Sequence, residues 1–284
     1  MTIESNNDSA LAVAERNGHT QLVRILCEKT AETEDQSHLP NTSPTEWTIA
    51  QEHNERRAFE RRRELKYEIE SDDEFIMFID RIKRWYIEKI LVKSEEKQKI
   101  LKVFDRAEKE LDPTYIIKAY TYESDFYRIL NTQLSREHFN YDSNDEKSQC
   151  ARNYILTLLM NHPKLNEYRF TGKTYRGMYM TDHDFNQYKV GIRILYKSFL
   201  STTKEEAVAL RFICQPNFKL RVICTFIIRN QQTALDIEKI SAYSGEKEVL
   251  ILPYSVWEVR NIRQMHRIEI ELEECETQRI SITE

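Results

Sequence analysis

A chain of 284 residues has room for one large domain or two small ones, and for a sizeable core. Its formal charge of −5, with charged residues of mixed sign at 31%, argues against non-specific nucleic-acid binding and for long exposed helices. No apolar run approaches the roughly 18 residues that a membrane-spanning helix needs. Residues 1–8 have neither a basic start nor an apolar core, so the expected location is the cytoplasm, with no secretory signal and no membrane partner. The odd count of five cysteines fits reduced thiols. The five glycines lie too far apart for a dinucleotide-binding or phosphate-loop fingerprint, and the seven histidines show no paired metal-ligand spacing, so no metal is expected.

Taken in order, Ala10-Leu-Ala-Val-Ala14, Asn17-Gly-His19 and Leu22-Val-Arg-Ile-Leu26 resemble the helix-turn-helix of one ankyrin repeat. A lone repeat cannot bury its own faces, so residues 1–29 are read as a packed helical pair or the vestige of an array. Residues 30–48 are polar and aperiodic, with two prolines, which reads as a linker. The segment 49–110 is a charged helical region. Arg61-Arg62-Arg63 lie among glutamates there, the pattern of a solvated helix. Ser71 and Glu74 stand at capping-box spacing before Phe75, Ile79, Ile82, Tyr86 and Ile90, which recur at helical intervals. Ile100, Leu101, Phe104 and Ala107 mark another helix, and further helices are expected over 120–133 and 146–161.

After Thr171 the period changes. Strands are expected over 173–178, 197–202, 219–228, 249–252, 256–262 and 267–273, with a short helix over 204–214 and a surface turn at His183. Helices first and strands after make an α+β chain. A catalytic unit over 111–276 and a tail over 277–284 complete the division.

Three polar features fall at strand ends: Tyr175-Arg176-Gly177, Ser201-Thr202-Thr203 and Glu246-Lys247-Glu248. Glycine within a strand often marks close approach of a ligand. The hydroxyl run can equally cap the helix that follows it. Gly245 supplies the turn before the glutamates. If that segment is extended, both carboxylates leave one face; taken alone, the pair also reads as a solvated strand end.

Together, and in this order, the three resemble the signature of the arginine-specific mono-ADP-ribosyltransferases: Arg, then Ser-Thr-Ser, then Glu-x-Glu. Tyr120-Thr-Tyr-Glu-Ser-Asp-Phe-Tyr127, Leu130-Asn131, and Glu246-Lys-Glu-Val-Leu-Ile-Leu-Pro253 extend the likeness over about 112–274, and Thr203 departs from the usual serine. The resemblance implies a core of two packed sheets, a β-sandwich, beside a helical subdomain. It also implies NAD as substrate and a protein acceptor with an exposed arginine, self-modification included. It assigns Glu248 to the nicotinamide ribose, Glu246 to the acceptor arginine and Arg176 to an NAD phosphate. Gly177 and Thr202 are placed along the NAD site, with Phe212 against the nicotinamide ring, Ser201 behind Glu248, and Tyr243 toward the acceptor. An NAD glycohydrolase with the same site, and a non-catalytic interaction module on a dead transferase fold, are the rival readings.

Overall fold

The computed structural model describes residues 47–122, 124–136, 145–214 and 219–275. The ankyrin-like pair, the polar stretch up to residue 46 and the tail over 277–284 lie outside the described residues.

The described chain opens on a short strand, β1 (Trp47–Ile49), inside the last residues of the expected linker, and passes into α1 (Glu52–Glu64). Helix α2 (Asp72–Ile82) starts where Ser71 Oγ accepts from the Glu74 amide, while the Glu74 carboxylate reaches back to the amide of Glu70 rather than of Ser71. It continues through a π-turn, Lys83–Ile87, into a last turn, Glu88–Ile90. Next come α3 (Ser94–Glu110), α4 (Thr114–Thr121), α5 (Asp125–Arg136) and α6 (Glu146–Asn161). The single helix expected over 120–133 is thus two. Tyr122 is extended and ends α4, and the Ser124 hydroxyl accepts from the amide of Phe126 as α5 begins.

The strands are β2 (Gly172–Met180), β3 (Arg193–Tyr196), β4 (Leu200–Thr203), β5 (Leu220–Ile228), β6 (Ala234–Asp236), β7 (Glu248–Ile251), β8 (Ser255–Gln264) and β9 (Ile268–Glu274). Two short helices interrupt them: α7 (Asp182–Phe185), which holds His183 in a helical turn, and α8 (Glu206–Arg211). Strands β1, β3 and β6 are three or four residues long, too short to show a period in sequence.

All nine strands join one hydrogen-bonded sheet in the order β1-β3-β8-β9-β5-β2-β4-β7-β6. The expected division into two separate sheets is replaced by a continuous one. It curls on itself: residues from near both ends, Tyr196 of β3 and Ile251 of β7, share one apolar cluster with Phe226 and Trp257 of the middle strands. Phe226 packs edge-on against both Tyr196 and Trp257, with centroids 5.9 and 5.0 Å apart. The opposite face carries the helices. Phe75, Ile79, Phe104, Ile117, Phe126 and Ile155 form one cluster with Leu195, Leu250 and Leu252 of the sheet. The helical segment before residue 110 therefore packs into the same core as the strands.

The basic run of α1 is less solvated than its composition suggests. Arg61 Nη2 donates to Asn153 Oδ1 at 2.5 Å, and Arg62 Nη2 to the Gln232 carbonyl at 2.7 Å, so both side chains clamp α1 to the body.

Gly177 has a packing explanation. A Cβ there would stand 2.0 Å from the Ala209 carbonyl oxygen, because α8 lies directly on β2. The close approach that glycine permits thus includes that of a helix backbone. Replacing Gly177 by Ala should cost about 3 kcal/mol or more, since a backbone carbonyl cannot rotate out of the way. Gly245→Ala meets nothing within 4 Å and should stay within about 0.5 kcal/mol. Denaturant melts of the two variants check the contrast.

Candidate functional site

The site forms where β2, β4 and β7 lie side by side. Strands β4 and β7 pair fully, with Thr203 opposite Glu248 and Ser201 opposite Leu250. Alternation puts Ser201, Thr203, Glu248 and Leu250 on the face that meets the helices. Thr202 points to the other face, where its Oγ1 donates to the Val249 carbonyl at 2.7 Å; its hydroxyl is taken up inside the sheet. Strands β2 and β4, by contrast, pair only through Tyr175 and Thr203. The next carbonyl of β4 is taken by a side chain: Arg176 Nη1 donates to Ser201 O at 2.8 Å. Arg176 is 7% exposed and therefore sits between two strands whose ladder has opened.

Glu248 is 5% exposed, although it is the first residue of its strand. Burial pushes its carboxyl above the ordinary glutamate value of 4.5, opposed by hydrogen bonds from Ser201 and Ser241 and by the nearby charge of Arg176. The Ser241 contact runs from Oγ to Oε2 at 3.0 Å. Two hydroxyl donors and a guanidinium on one buried carboxylate make a preorganised anion. Such a group can stabilise positive charge that develops beside it.

Ser241 was not among the sequence candidates. It lies seven residues before Glu248 across an irregular loop, where no periodicity relates the two. Its hydroxyl also accepts from the amide of Tyr243 at 3.2 Å, while its own amide donates to Ile237 O at 2.7 Å. The loop is tied outward as well. The amide of Ala242 donates to Thr121 Oγ1 of α4 at 3.0 Å.

The geometry of the glutamate pair differs from the expected extended one. Ser244–Glu246 form a 3-10 turn, and Lys247 takes a left-handed conformation at φ 47°. Strand alternation thus reaches Glu248 and stops there, and Glu246 occupies a half-buried place on the loop. The reversal that Gly245 was expected to supply is made by Lys247. Its side chain pairs with Glu205, and its carbonyl accepts from the Lys204 amide at 3.1 Å. Lys204 Nζ in turn holds Asp236 and Glu238, at 2.7 and 2.6 Å.

The hydroxyl run does not cap α8, whose N-cap is Glu205 with no side-chain cap, and its members make separate contacts. Ser201 touches Glu248, while Thr203 Oγ1 accepts from the Glu205 amide as the chain turns into α8. Phe212 ends α8, is half-buried and belongs to none of the three apolar clusters, unlike its neighbour Ile213. Cys224 is fully buried between strands, and burial pushes its thiol up to about 12, which leaves it unreactive. Among the described residues, no group of three or more His, Cys, Asp or Glu is arranged to hold a metal, and no helix is long and apolar enough to cross a membrane.

The raised carboxyl of Glu248 has a thermodynamic consequence. The folded chain keeps this proton to higher pH than the unfolded chain does. The associated stability is complete in acid and is lost as pH rises through the folded value. Glu248→Gln carries no such proton, so its melting temperature should gain on the wild type as pH rises from below 4.5 to neutrality. A variant-minus-wild-type difference in melting temperature that stays constant or becomes more negative as pH rises would show that the carboxylate is not held at a cost.

Comparison with known proteins identifies the family. The family model for NAD:arginine ADP-ribosyltransferase matches residues 50–279, which takes in the helical segment before residue 110. No curated protein matches the chain. Among solved structures, the type III effector XopAI from Xanthomonas axonopodis pv. citri is similar at TM-score 0.52 and 12% identity, covering 85% of this chain and all of that one. The ADP-ribosyltransferase HopU1 of Pseudomonas syringae pv. tomato reaches 0.46 at 13%, covering 80% and 99%. The Vis toxin of Vibrio splendidus, an ADP-ribosyltransferase, reaches 0.44 at 20%, covering 77% and 93%. With the family model spanning most of its length, the chain belongs to the NAD:arginine ADP-ribosyltransferases, enzymes that take NAD as substrate and transfer its ADP-ribose.

Proposed function

We propose that Glu248 drives cleavage of NAD in this enzyme and that Glu246 directs the ADP-ribose to an arginine of a protein acceptor. The observation that carries the first half is the burial of the Glu248 carboxylate among the hydroxyls of Ser201 and Ser241 and the charge of Arg176.

The bond to be broken joins C1′ of the ribose to the pyridinium nitrogen of nicotinamide. Its electron pair leaves with nicotinamide, which becomes neutral, and positive charge develops over C1′ and the ring oxygen. A carboxylate accepting from a hydroxyl of that ribose stabilises the developing cation, and does so strongly because it is already desolvated and oriented. Ser201 and Ser241 keep it in place without neutralising it. The charge of Arg176 opposes the burial that raises the Glu248 pKa, and its planar fork, which lysine lacks, suits an NAD phosphate. Phe212, half-buried at the end of α8, offers a ring for the nicotinamide. An arginine of the acceptor then attacks C1′ through a guanidinium nitrogen, and Glu246 takes the proton that this nitrogen loses.

Water competes for the same C1′, so the two glutamates should separate in assay. Glu248→Gln should lower NAD cleavage roughly 10²–10³-fold with or without acceptor, the scale seen when one transition-state partner is removed. Glu246→Gln should reduce transfer to an arginine analogue such as agmatine by a much larger factor than it reduces nicotinamide release. Equal losses in both reactions would reject the division of labour. The hydroxyl contacts give a further test. Since Ser241 lowers the Glu248 pKa, Ser241→Ala should move the acid limb of the rate profile to higher pH. An unmoved limb would place that titration elsewhere.

A further inference from the structure

The loop carrying Glu246 is gripped from two sides that do different things. On the sheet side, Ser241 is fixed by its amide to Ile237 O at 2.7 Å, and Ile237 is fixed by its amide to Glu248 O at 3.0 Å. These bonds hold the serine that supports Glu248, and they involve no helix. On the helical side, the grip is the bond from the Ala242 amide to Thr121 Oγ1 at 3.0 Å. Thr121 is the last residue of α4 and its hydroxyl is not free to turn, because it donates to Lys118 O at 3.1 Å. The remaining lone pairs are therefore aimed, and the Ala242 amide meets one of them.

We infer that Thr121 is a positioning residue for the acceptor half of the reaction: it sets the path of residues 242–246, and with it the placement of Glu246, while leaving Glu248 to its own supports. The inference rests on the assignment of Glu246 to the acceptor arginine. Downstream of Ala242 the backbone makes a tight, local path, with the Glu246 amide on Tyr243 O at 3.2 Å and Lys247 in the left-handed region. The two ends of this path are held, at Tyr243 by the Ser241 hydroxyl and at Lys247 by the Lys204 amide and Glu205, so loss of the Thr121 bond shifts the turn between them. Upstream, Ser241 does not shift, because its amide stays on the sheet. Releasing Thr121 should thus misplace the group that receives the arginine without disturbing the group that cleaves NAD. NAD cleaved without a well-placed arginine is captured by water, so the helical layer governs how ADP-ribose is divided between acceptor and solvent.

The test uses the full chain with NAD and agmatine, scoring ADP-ribosyl-agmatine and free ADP-ribose in the same reaction. Thr121→Val keeps shape and removes the acceptor oxygen; Thr121→Ser keeps the hydroxyl. For Thr121→Val the expected result is an agmatine KM raised about fivefold. The ratio of transfer to hydrolysis should fall by a similar factor, while hydrolysis without agmatine and the KM for NAD stay within about twofold of wild type. Thr121→Ser should restore the wild-type ratio. A merely structural role would lower both reactions together. An unchanged ratio, or a parallel loss in both reactions, would overturn the inference. Thr121→Ala, with melting curves for each variant, gives the same reading if the valine variant does not fold. Glu246→Gln run alongside separates the two levels. If it loses transfer selectively while Thr121→Val does not, this inference alone fails. If it transfers normally, the assignment of Glu246 fails and this inference with it.

Discussion

A carboxylate with almost no contact to water is a destabilising feature unless something answers it, and in this chain Glu248 is answered from three directions. Ser201 comes from the neighbouring strand, Ser241 from the loop that precedes Glu248, and the charge of Arg176 from the opened ladder between β2 and β4. Each support needs a different part of the fold. The full pairing of β4 with β7 sets Ser201 and Glu248 on one face. The near absence of pairing between β2 and β4 leaves room for a guanidinium, whose Nη1 then takes a carbonyl that the ladder leaves for it. The turn after β6 holds the third, since the Ser241 amide donates to Ile237 O and the Ile237 amide to Glu248 O. Burial still wins, since the carboxyl remains above its ordinary value.

The two large hydrophobic clusters explain how so polar a site can sit within a sheet. One is enclosed by the curl of the sheet, and the other lies between sheet and helices. Leu250, two residues from Glu248, is buried against the helices, while Val249 and Ile251 face into the curl. The strand bearing the carboxylate is thus fixed by apolar contacts on both faces, and its first residue inherits that rigidity. The loop before it is held by hydrogen bonds and, at Lys247, by an ion pair with Glu205.

Much of this was legible in the sequence, for identifiable reasons. The long helices and the strands around 220–228 and 267–273 are long enough for their periods to show. Arg176, Ser201 and Glu248 were legible as an ordered set, and the structure brings them together. What escaped depends on short elements and irregular backbone. The strand alternation drawn for Glu246 and Glu248 fails because Lys247 takes a positive φ, a conformation that nothing about lysine announces. Gly177 was read as close approach of a ligand, and the structure adds a packing demand that the sequence did not announce, the carbonyl of Ala209 in α8. Ser241 and Thr121 escaped because each acts across a gap that no local pattern spans, seven residues in one case and 121 in the other. The continuity of the sheet rests on the single pair between Tyr175 and Thr203, a bond that no sequence period encodes.

The central claim is that the buried carboxylate of Glu248 meets the ribose whose bond is broken. A crystal structure of this chain with a non-hydrolysable NAD analogue tests it most directly. The account requires a hydroxyl of the nicotinamide ribose within about 3 Å of a Glu248 oxygen, with the Ser201 and Ser241 contacts kept. An analogue bound with its ribose away from Glu248, or a Glu248 side chain that leaves its two serines to admit the ligand, would contradict it.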